Sequence, residues 1–292
     1  MAEFASYDDV HDRLADVDYL TDERIDTVVW LAQRLGKPIL VEGPAGTGKT
    51  ELAKAVAAAR GADLVRLQCY EGLDEAKALY EWNYKKQLLR IQAGRDGEDF
   101  DDVHDDIFGQ DYLLERPLLR ALRAERDTVL LIDEVDKVDF EFEALLLEIL
   151  SDFQVTIPEL GTVTGTRRPF VVLTSNNTRE LSEALKRRAL YLHLDYPTPA
   201  REAEIVRRRV PEASAALVEQ VVRVVRSLRA LELKKAPSVS ETLDWAATLV
   251  ELGYESVDDE ALSRTLNVAL KYHQDVTRAT SHLQVSPRPE LN

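Results

Sequence analysis

Short apolar runs alternate with amphipathic segments along the first two-thirds of the chain. Each run has the length and composition of a buried strand, and the run at 128–132 is unbroken, which is typical of a strand covered on both faces of a parallel sheet. Because helical segments separate these runs, the pattern predicts an α/β fold, a parallel sheet sandwiched by helices. The predicted strands are 38–41, 64–67, 128–132, 170–174 and 190–194.

Apolar residues at helical spacing precede the first predicted strand and fill most of the intervals between the strands. The first of these helices has an N-cap signal and an acidic first turn at 21–23, and it should stop near Gly36. The interval at 156–166 differs, because turn residues stand between β-formers there and predict a hairpin. The predicted helices are 25–35, 51–60, 70–92, 113–126 and 140–152.

The pattern changes after the proline-rich segment 196–199, because no convincing strand follows it. Val221, Val225 and Leu228 mark one helical stripe, and a second stripe follows at 243–250. The C-terminal third is therefore predicted to be a small helical bundle. We predict an α/β domain at 1–197, a helical lid domain at 198–280 and a flexible tail at 281–292.

A phosphate-binding loop stands between the first predicted strand and the helix that follows it. Glycines let such a loop wrap closely around phosphates, and the helix N-terminus adds a positive dipole end. Lys49 would reach the β- and γ-phosphates, and the Thr50 hydroxyl would hold Mg²⁺, so ATP and Mg²⁺ are the expected ligands. The predicted nucleotide-binding residues are Gly43, Pro44, Ala45, Gly46, Thr47, Gly48, Lys49, Thr50 and Glu51.

Composition limits the setting in which such a site would work. The net charge of −16 and pI of about 4.8 disfavour a general binder of nucleic acid or anionic membrane. A single cysteine, Cys69, excludes an internal disulfide and fits a reducing compartment. No secretory signal or bilayer-spanning apolar stretch is evident, so the sequence predicts a cytoplasmic protein.

Two carboxylates follow the unbroken strand directly, and polar residues follow the next strand. Asp133 would hold Mg²⁺ directly or through water, while Glu134 would orient and polarise the attacking water. Asn176, after the strand at 170–174, could bind that water or the γ-phosphate. The alternative for each position is an ordinary turn or helix cap, for which these residue types are natural choices.

Two further features each allow two interpretations when only the sequence is considered. Arg187 and Arg188 end a helix, where cations are favoured by the helix dipole, but one of them could also reach the γ-phosphate of a neighbouring subunit. The acidic composition of residues 95–111 favours a hydrated loop. His104 lies among aspartates there, so a metal site is the second interpretation of that stretch.

In order and spacing, the chain resembles an AAA+ ATPase. The features that carry the resemblance are the phosphate loop, the strand followed by Asp133 and Glu134, the later Asn176, and the pair Arg187 and Arg188. More narrowly, the chain resembles the MoxR branch. Its segments 67–74, 158–163 and 238–245 are similar to the CoxD-like members associated with carbon monoxide dehydrogenase maturation. The resemblance covers about residues 20–255.

The resemblance implies a set of roles and partners. It implies Mg²⁺ and catalytic roles for Asp133 and Glu134, a sensor role for Asn176, and a finger that acts on the neighbouring subunit at Arg188, with Arg187 as second choice. Members form homo-oligomeric rings, commonly hexamers. They typically act with a von Willebrand factor A (VWA) domain partner to remodel or activate a client, often a metalloenzyme receiving its cofactor. The segments 70–92 and 156–166 are where such ATPases often hold their targets.

One departure from the family pattern leaves other functions open. Many relatives have a lid arginine that touches the γ-phosphate, but the comparable segment 236–241 has none; Lys234 or Lys235 could substitute. An ATP-dependent scaffold with little turnover is therefore one alternative. A DNA-directed motor on the same fold is the other, although the acidic charge counts against it.

Overall fold

The computed structural model describes residues 3–93 and 106–283. The chain divides into two compact units, the first covering Met1–Gly43 with Lys49–His193 and the second Pro44–Gly48 with Leu194–Asn292. The first unit is α/β and the second is helical. His104 and most of the acidic stretch lie outside the described residues, as does the predicted tail from residue 284 onward.

A parallel sheet is the centre of the first unit and confirms the predicted fold class. Its strands, each within one or two residues of its prediction, are β1 (Ile39–Glu42), β2 (Asp63–Gln68), β5 (Thr128–Asp133), β8 (Phe170–Ser175) and β9 (Leu190–His193). Within the described chain the order of these five strands is β2-β5-β8-β1-β9. Every side chain of β5 and β8 is buried, as expected for strands covered on both faces.

Amphipathic helices cover this sheet. The N-cap of the second helix is Asp22, whose side chain accepts a hydrogen bond from the Ile25 amide, and its C-cap is Gly36 at φ 59°, a left-handed conformation that favours glycine. The helices are α1 (Tyr7–Ala15), α2 (Glu23–Leu35), α3 (Lys49–Arg60), α7 (Phe140–Asp152) and α8 (Glu183–Arg188).

The segments predicted as single helices at 70–92 and 113–126 are broken, so those two predictions were wrong in part. Tyr80 and Trp82 lie on a short strand, and the Trp82 ring packs edge-on against Phe108 with 5.2 Å between ring centroids. Tyr80 and Trp82 are two positions apart, a spacing that places both side chains on one face of a strand. In the other segment Pro117 begins a new helix, because proline is favoured in the first helical turn. The observed elements are α4 (Glu75–Ala78), β3 (Tyr80–Trp82), α5 (Tyr84–Gln92), β4 (Leu113–Glu115) and α6 (Pro117–Leu122).

The predicted hairpin at 156–166 is confirmed. It consists of β6 (Gln154–Ile157) and β7 (Gly161–Thr164), which pair antiparallel. Gly161 has φ 77°, a conformation that a tight turn needs and that other residues rarely adopt.

The second unit packs helices around an apolar core that includes Val221, Val225, Leu228 and Trp245. The indole Nε1 of Trp245 donates to Thr265 Oγ1 at 2.8 Å, so its one polar atom is satisfied inside the core. The helices are α9 (Pro199–Arg209), α10 (Ala215–Arg229), α11 (Val239–Glu251), α12 (Asp259–Ala269) and α13 (His273–His282). In residues 3–93 and 106–283, no helix is long and apolar enough to cross a membrane.

Candidate active site

Four of the predicted site residues, Thr50, Asp133, Glu134 and Asn176, meet at the carboxyl edge of the sheet of the first unit. β8 lies between β5 and β1, and all three strands run parallel. Their last residues, Glu42, Asp133 and Ser175, therefore reach the same edge, where ligands bind in open α/β sheets.

Asp133 is the centre of this cluster and is only 3% exposed. Its Oδ1 accepts hydrogen bonds from the hydroxyls of Thr50 at 2.9 Å and Thr174 at 2.6 Å. Its Oδ2 accepts from Nη2 and Nε of Arg66 at 2.5 and 3.1 Å. The structure thus brings together the two residues predicted to hold Mg²⁺, Thr50 and Asp133, which lie 83 positions apart.

Glu134 follows in a left-handed conformation, with φ 58°, which turns its side chain out of the strand direction. Its backbone N–H donates to Thr174 Oγ1 at 2.9 Å. Its Oε1 accepts from the Asn176 amide at 3.3 Å, and its Oε2 from the Gln68 amide at 3.1 Å. Two neutral amides from neighbouring strands therefore fix the carboxylate in place.

Asp136 supports the turn that presents Asn176. It is 3% exposed, and its carboxylate accepts from the backbone amides of Asn176 and Thr178 at 3.1 and 3.0 Å and from the Thr178 hydroxyl at 2.5 Å. Burial alone would raise the pKa of Asp136, but the hydrogen bonds from Thr178 and Asn176 outweigh it and lower the pKa below the ordinary value. Asp136 therefore stays ionised and holds the turn.

Lys49 lies at the start of α3, buried, with its Nζ donating to the Gly43 carbonyl at 2.8 Å. Burial lowers the pKa of Lys49, while the charges of Asp136, Asp133 and Glu134 oppose that effect. A buried ammonium at the start of a helix suits an anionic ligand, because phosphate oxygens would compensate its lost hydration.

The loop segment 44–48 belongs to the second unit, where it packs against the start of α11. The Val239 amide donates to the Gly46 carbonyl at 3.2 Å. A Cβ on Gly46, which has φ 73°, would lie 2.2 Å from Cβ of Ser238, so only glycine fits there. Ser238 caps α11 through a capping box with Glu241.

The remaining loop residues differ in their surroundings. The Thr47 hydroxyl donates to the Pro44 carbonyl at 3.0 Å, and Ala45 is exposed. The Glu51 carboxylate pairs with Lys54 at 2.6 Å on the surface of α3, so the structure does not bring it to the Asp133 cluster.

Arg187 and Arg188 are both exposed and touch none of the carboxylates above. Arg188 Nε donates to Ser151 Oγ at 2.8 Å, whereas the Arg187 side chain forms no hydrogen bond or ion pair with the described chain. In the lid, Lys235 pairs with Glu241 at 3.1 Å, and Lys234 lies over the Tyr272 ring at 4.1 Å.

Sequence reasoning missed the residues that support the predicted ones. Arg66 and Gln68 are alternate positions of β2, so two polar side chains at that spacing were a signal that they share a face. Thr174 was assigned only to a strand. Asp136 and Thr178 gave no signal, because their contact joins segments 42 positions apart.

The oxygen ligands that this site offers suit a Mg²⁺ ion bound together with a nucleotide. Across the described residues, no group of three or more His, Cys, Asp or Glu side chains is arranged to hold a metal ion. Thr50 and Asp133 would supply one hydroxyl and one carboxylate, and Mg²⁺ commonly completes such a set with waters and phosphate oxygens.

The fold and this site define an ATP-hydrolysing enzyme of the AAA+ class. Residues 38–189 match the AAA domain (dynein-related subfamily), which is about half of the chain. The chain therefore belongs to that family.

Other proteins are similar to the chain at lower identity. An uncharacterized protein of Staphylococcus haemolyticus is 26% identical over 75% of this chain and 77% of its own length. The gas vesicle ATPase GvpN of Haloferax mediterranei is 28% identical over 67% of this chain and 57% of its own length. A solved structure of a mutant of Thermotoga maritima RuvB has a TM-score of 0.50 at 17% identity, covering 96% of this chain and 73% of that one. That likeness concerns the fold.

Proposed function

We propose that this AAA+ ATPase is of the MoxR type, that it hydrolyses Mg²⁺-ATP, and that it uses hydrolysis to remodel or activate a protein client. The observation that carries the chemistry is the position of Glu134. Its carboxylate is held by amides on both oxygens, directly after an Asp133 that contacts Thr50. A fixed carboxylate beside the residues that would hold Mg²⁺ suits the activation of water for attack on a phosphate.

Each residue of the cluster has a distinct task in this proposal. Lys49 would bind β- and γ-phosphate oxygens, and Thr50 with Asp133 would hold Mg²⁺, which supplies positive charge against the phosphates when bound. Glu134 orients the attacking water and accepts its proton, and Asn176 keeps Glu134 aligned. Phosphoryl transfer depends mainly on such positioning and charge stabilisation.

Replacing Glu134 with Gln tests the proposed chemistry. The variant keeps a polar side chain of the same size but loses the base, so turnover should fall by roughly 10²- to 10⁴-fold. Binding of a fluorescent ATP analogue should stay within about two-fold, because the loop is unchanged. Hydrolysis at the wild-type rate would refute the role of Glu134.

The proposed assembly is a homo-oligomeric ring, a hexamer by resemblance, with nucleotide between subunits. Exposed Arg187 and Arg188 support it, because an arginine acting on a neighbouring subunit must face outward. Size measurement by light scattering with and without ATP tests assembly. A protein that stays monomeric with saturating Mg²⁺-ATP would contradict the ring.

The proposed client is a metalloenzyme whose cofactor is being inserted, reached together with a VWA-domain partner. The CoxD-like segments support this, as does α5, which exposes Tyr84, Leu88 and Ile91 among the described residues. The Glu134→Gln protein held in ATP should retain such proteins in a pull-down, while a Lys49→Ala control should not. Equal recovery by both variants would speak against nucleotide-dependent client binding.

A further inference from the structure

We propose that Arg66 is a displaceable cation that neutralises Asp133 in the nucleotide-free protein and leaves its Oδ2 when Mg²⁺ arrives with nucleotide. The inference rests on the proposed Mg²⁺-ATP function and adds to it a residue from β2, a strand that carries none of the predicted site residues. The role follows from how the Asp133 carboxylate is shared among its partners.

The contact between Arg66 and Asp133 is close and forked. Nη2 and Nε of Arg66 lie 2.5 and 3.1 Å from the same oxygen, Oδ2. The Asp133 side chain is 4% exposed, whereas that of Arg66 is 48% exposed. The guanidinium therefore reaches from the solvent side onto a carboxylate that is itself enclosed.

The other oxygen of Asp133 is already in use. Oδ1 accepts the hydroxyl hydrogens of Thr50 and Thr174, so the remaining lone pairs of the carboxylate lie on Oδ2, where Arg66 binds. Without a cation there, an enclosed carboxylate would have only neutral donors, which is unfavourable. Arg66 thus stabilises the nucleotide-free protein.

A divalent ion at Asp133 changes this balance. Mg²⁺ and the guanidinium carry charges of the same sign, and both need the same carboxylate, so each disfavours the other. The Arg66 side chain is long, flexible and 48% exposed, so its guanidinium can move into solvent once a divalent ion compensates the charge of Asp133. Metal binding then has to overcome the loss of the arginine contact.

Magnesium titration of nucleotide binding tests this displacement without measuring hydrolysis. Fluorescent N-methylanthraniloyl-ADP is bound at varied free Mg²⁺ by wild type, Arg66→Gln and Arg66→Lys. We expect Arg66→Gln to lower the half-saturating Mg²⁺ concentration about ten-fold, because a competing charge is removed. Arg66→Lys, which keeps the charge but loses the fork, should fall between them.

Thermal unfolding supplies a second readout. In EDTA, Arg66→Gln should melt a few degrees below wild type, and the difference should vanish in saturating Mg²⁺ and ADP. Arg34→Gln is the matched control, because it removes the same charge at an exposed position of α2 whose side chain forms no hydrogen bond or ion pair with the described chain. The control should change neither measurement.

The outcomes separate the inference from the proposal beneath it. A melting difference that persists with Mg²⁺ and ADP, or an unchanged half-saturating Mg²⁺ concentration, would show a permanent counter-ion and overturn the displacement. If wild-type protein binds nucleotide equally well with and without Mg²⁺, the proposed magnesium site fails, and the displacement fails with it.

Discussion

The side-chain amide of Asn176 donates a hydrogen bond to Oε1 of Glu134 at 3.3 Å, although 42 positions separate the two residues. The contact exists because β8, which precedes Asn176, pairs in parallel with β5, which precedes Glu134. An amide that follows one strand thereby aligns a carboxylate that follows its neighbour.

Replacing Asn176 with Ala should slow hydrolysis more than it weakens nucleotide binding. Glu134 keeps its Gln68 contact but loses the donor to Oε1, and misplacement of a catalytic group by about 1 Å costs about 100-fold. We expect kcat to fall by about that factor with little change in the Kd for an ATP analogue. Asn267→Ala, on the exposed surface of α12, is the control. A loss of affinity that matches the loss of rate would instead indicate a direct role in nucleotide binding.

Replacing Asp136 with Asn should destabilise the protein at neutral pH. An Asn amide group would face the donors of Asn176 and Thr178, leaving hydrogen bonds unmade at a cost of about 2 kcal/mol. That corresponds to about 4–8 °C in Tm.

The pH dependence of this difference has a defined sign. The folded-state pKa of Asp136 is lowered, so its contribution is complete above the ordinary value of 3.8 and is lost as the pH falls through the lowered pKa. The Tm difference should therefore be constant from pH 8 to pH 5, as followed by circular dichroism. A difference that shrinks within that range would contradict a lowered pKa.

Replacing Gly46 with Ala should be more damaging than the same change at Gly253. Both glycines have positive φ, 73° and 75°, so both substitutions carry the same backbone strain. Only at Gly46 would the new Cβ meet another atom, Ser238 Cβ at 2.2 Å, while at Gly253 nothing lies within 4 Å. Gly46→Ala should therefore lower Tm and the affinity for an ATP analogue more than Gly253→Ala does, and the difference between the two variants measures the clash. Adding Ser238→Gly to Gly46→Ala should restore part of both, and no recovery would mean that the clash is not the cause.

Exchanging subunits should identify which arginine acts on a neighbour. Arg188→Ala should cut turnover by about 10³-fold while leaving ATP binding intact, if it supplies charge to the next subunit. Mixing it with Lys49→Ala protein should then recover activity, because some interfaces combine an intact loop with an intact arginine.

Arg187→Ala is the comparison variant for this experiment. The Arg188 side chain is held by Ser151, whereas the Arg187 side chain forms no hydrogen bond or ion pair with the described chain and could reach outward without breaking one. If only the Arg187 variant behaves in this way, the finger is Arg187. If neither mixture recovers activity, catalysis across subunits is ruled out.

The central strands and the phosphate loop could be predicted because local signals specify them. An unbroken apolar run such as Thr128–Ile132 has few alternatives to a buried strand, and a glycine loop before a helix has a fixed geometry. The position of Asp133 and Glu134 then followed from where β5 ends.

The insertion and the supporting contacts could not be predicted in the same way. Tyr80 and Trp82 have good helical neighbours in sequence, but pairing with β4, more than 30 positions away, places them on a strand. Arg66 and Thr178 contact partners 67 and 42 positions away in sequence, and strand order decides whether such residues meet. No local pattern contains that information.

The strand order also restricts when the enzyme can become active during its synthesis. β8 inserts between β5 and β1, yet it is made after both. A nascent chain that has left the ribosome only as far as β7 lacks the strand that joins the Lys49 and Asp133 halves of the centre, as well as Asn176. An unfinished polypeptide of that length therefore has neither the complete sheet nor the amide that aligns Glu134.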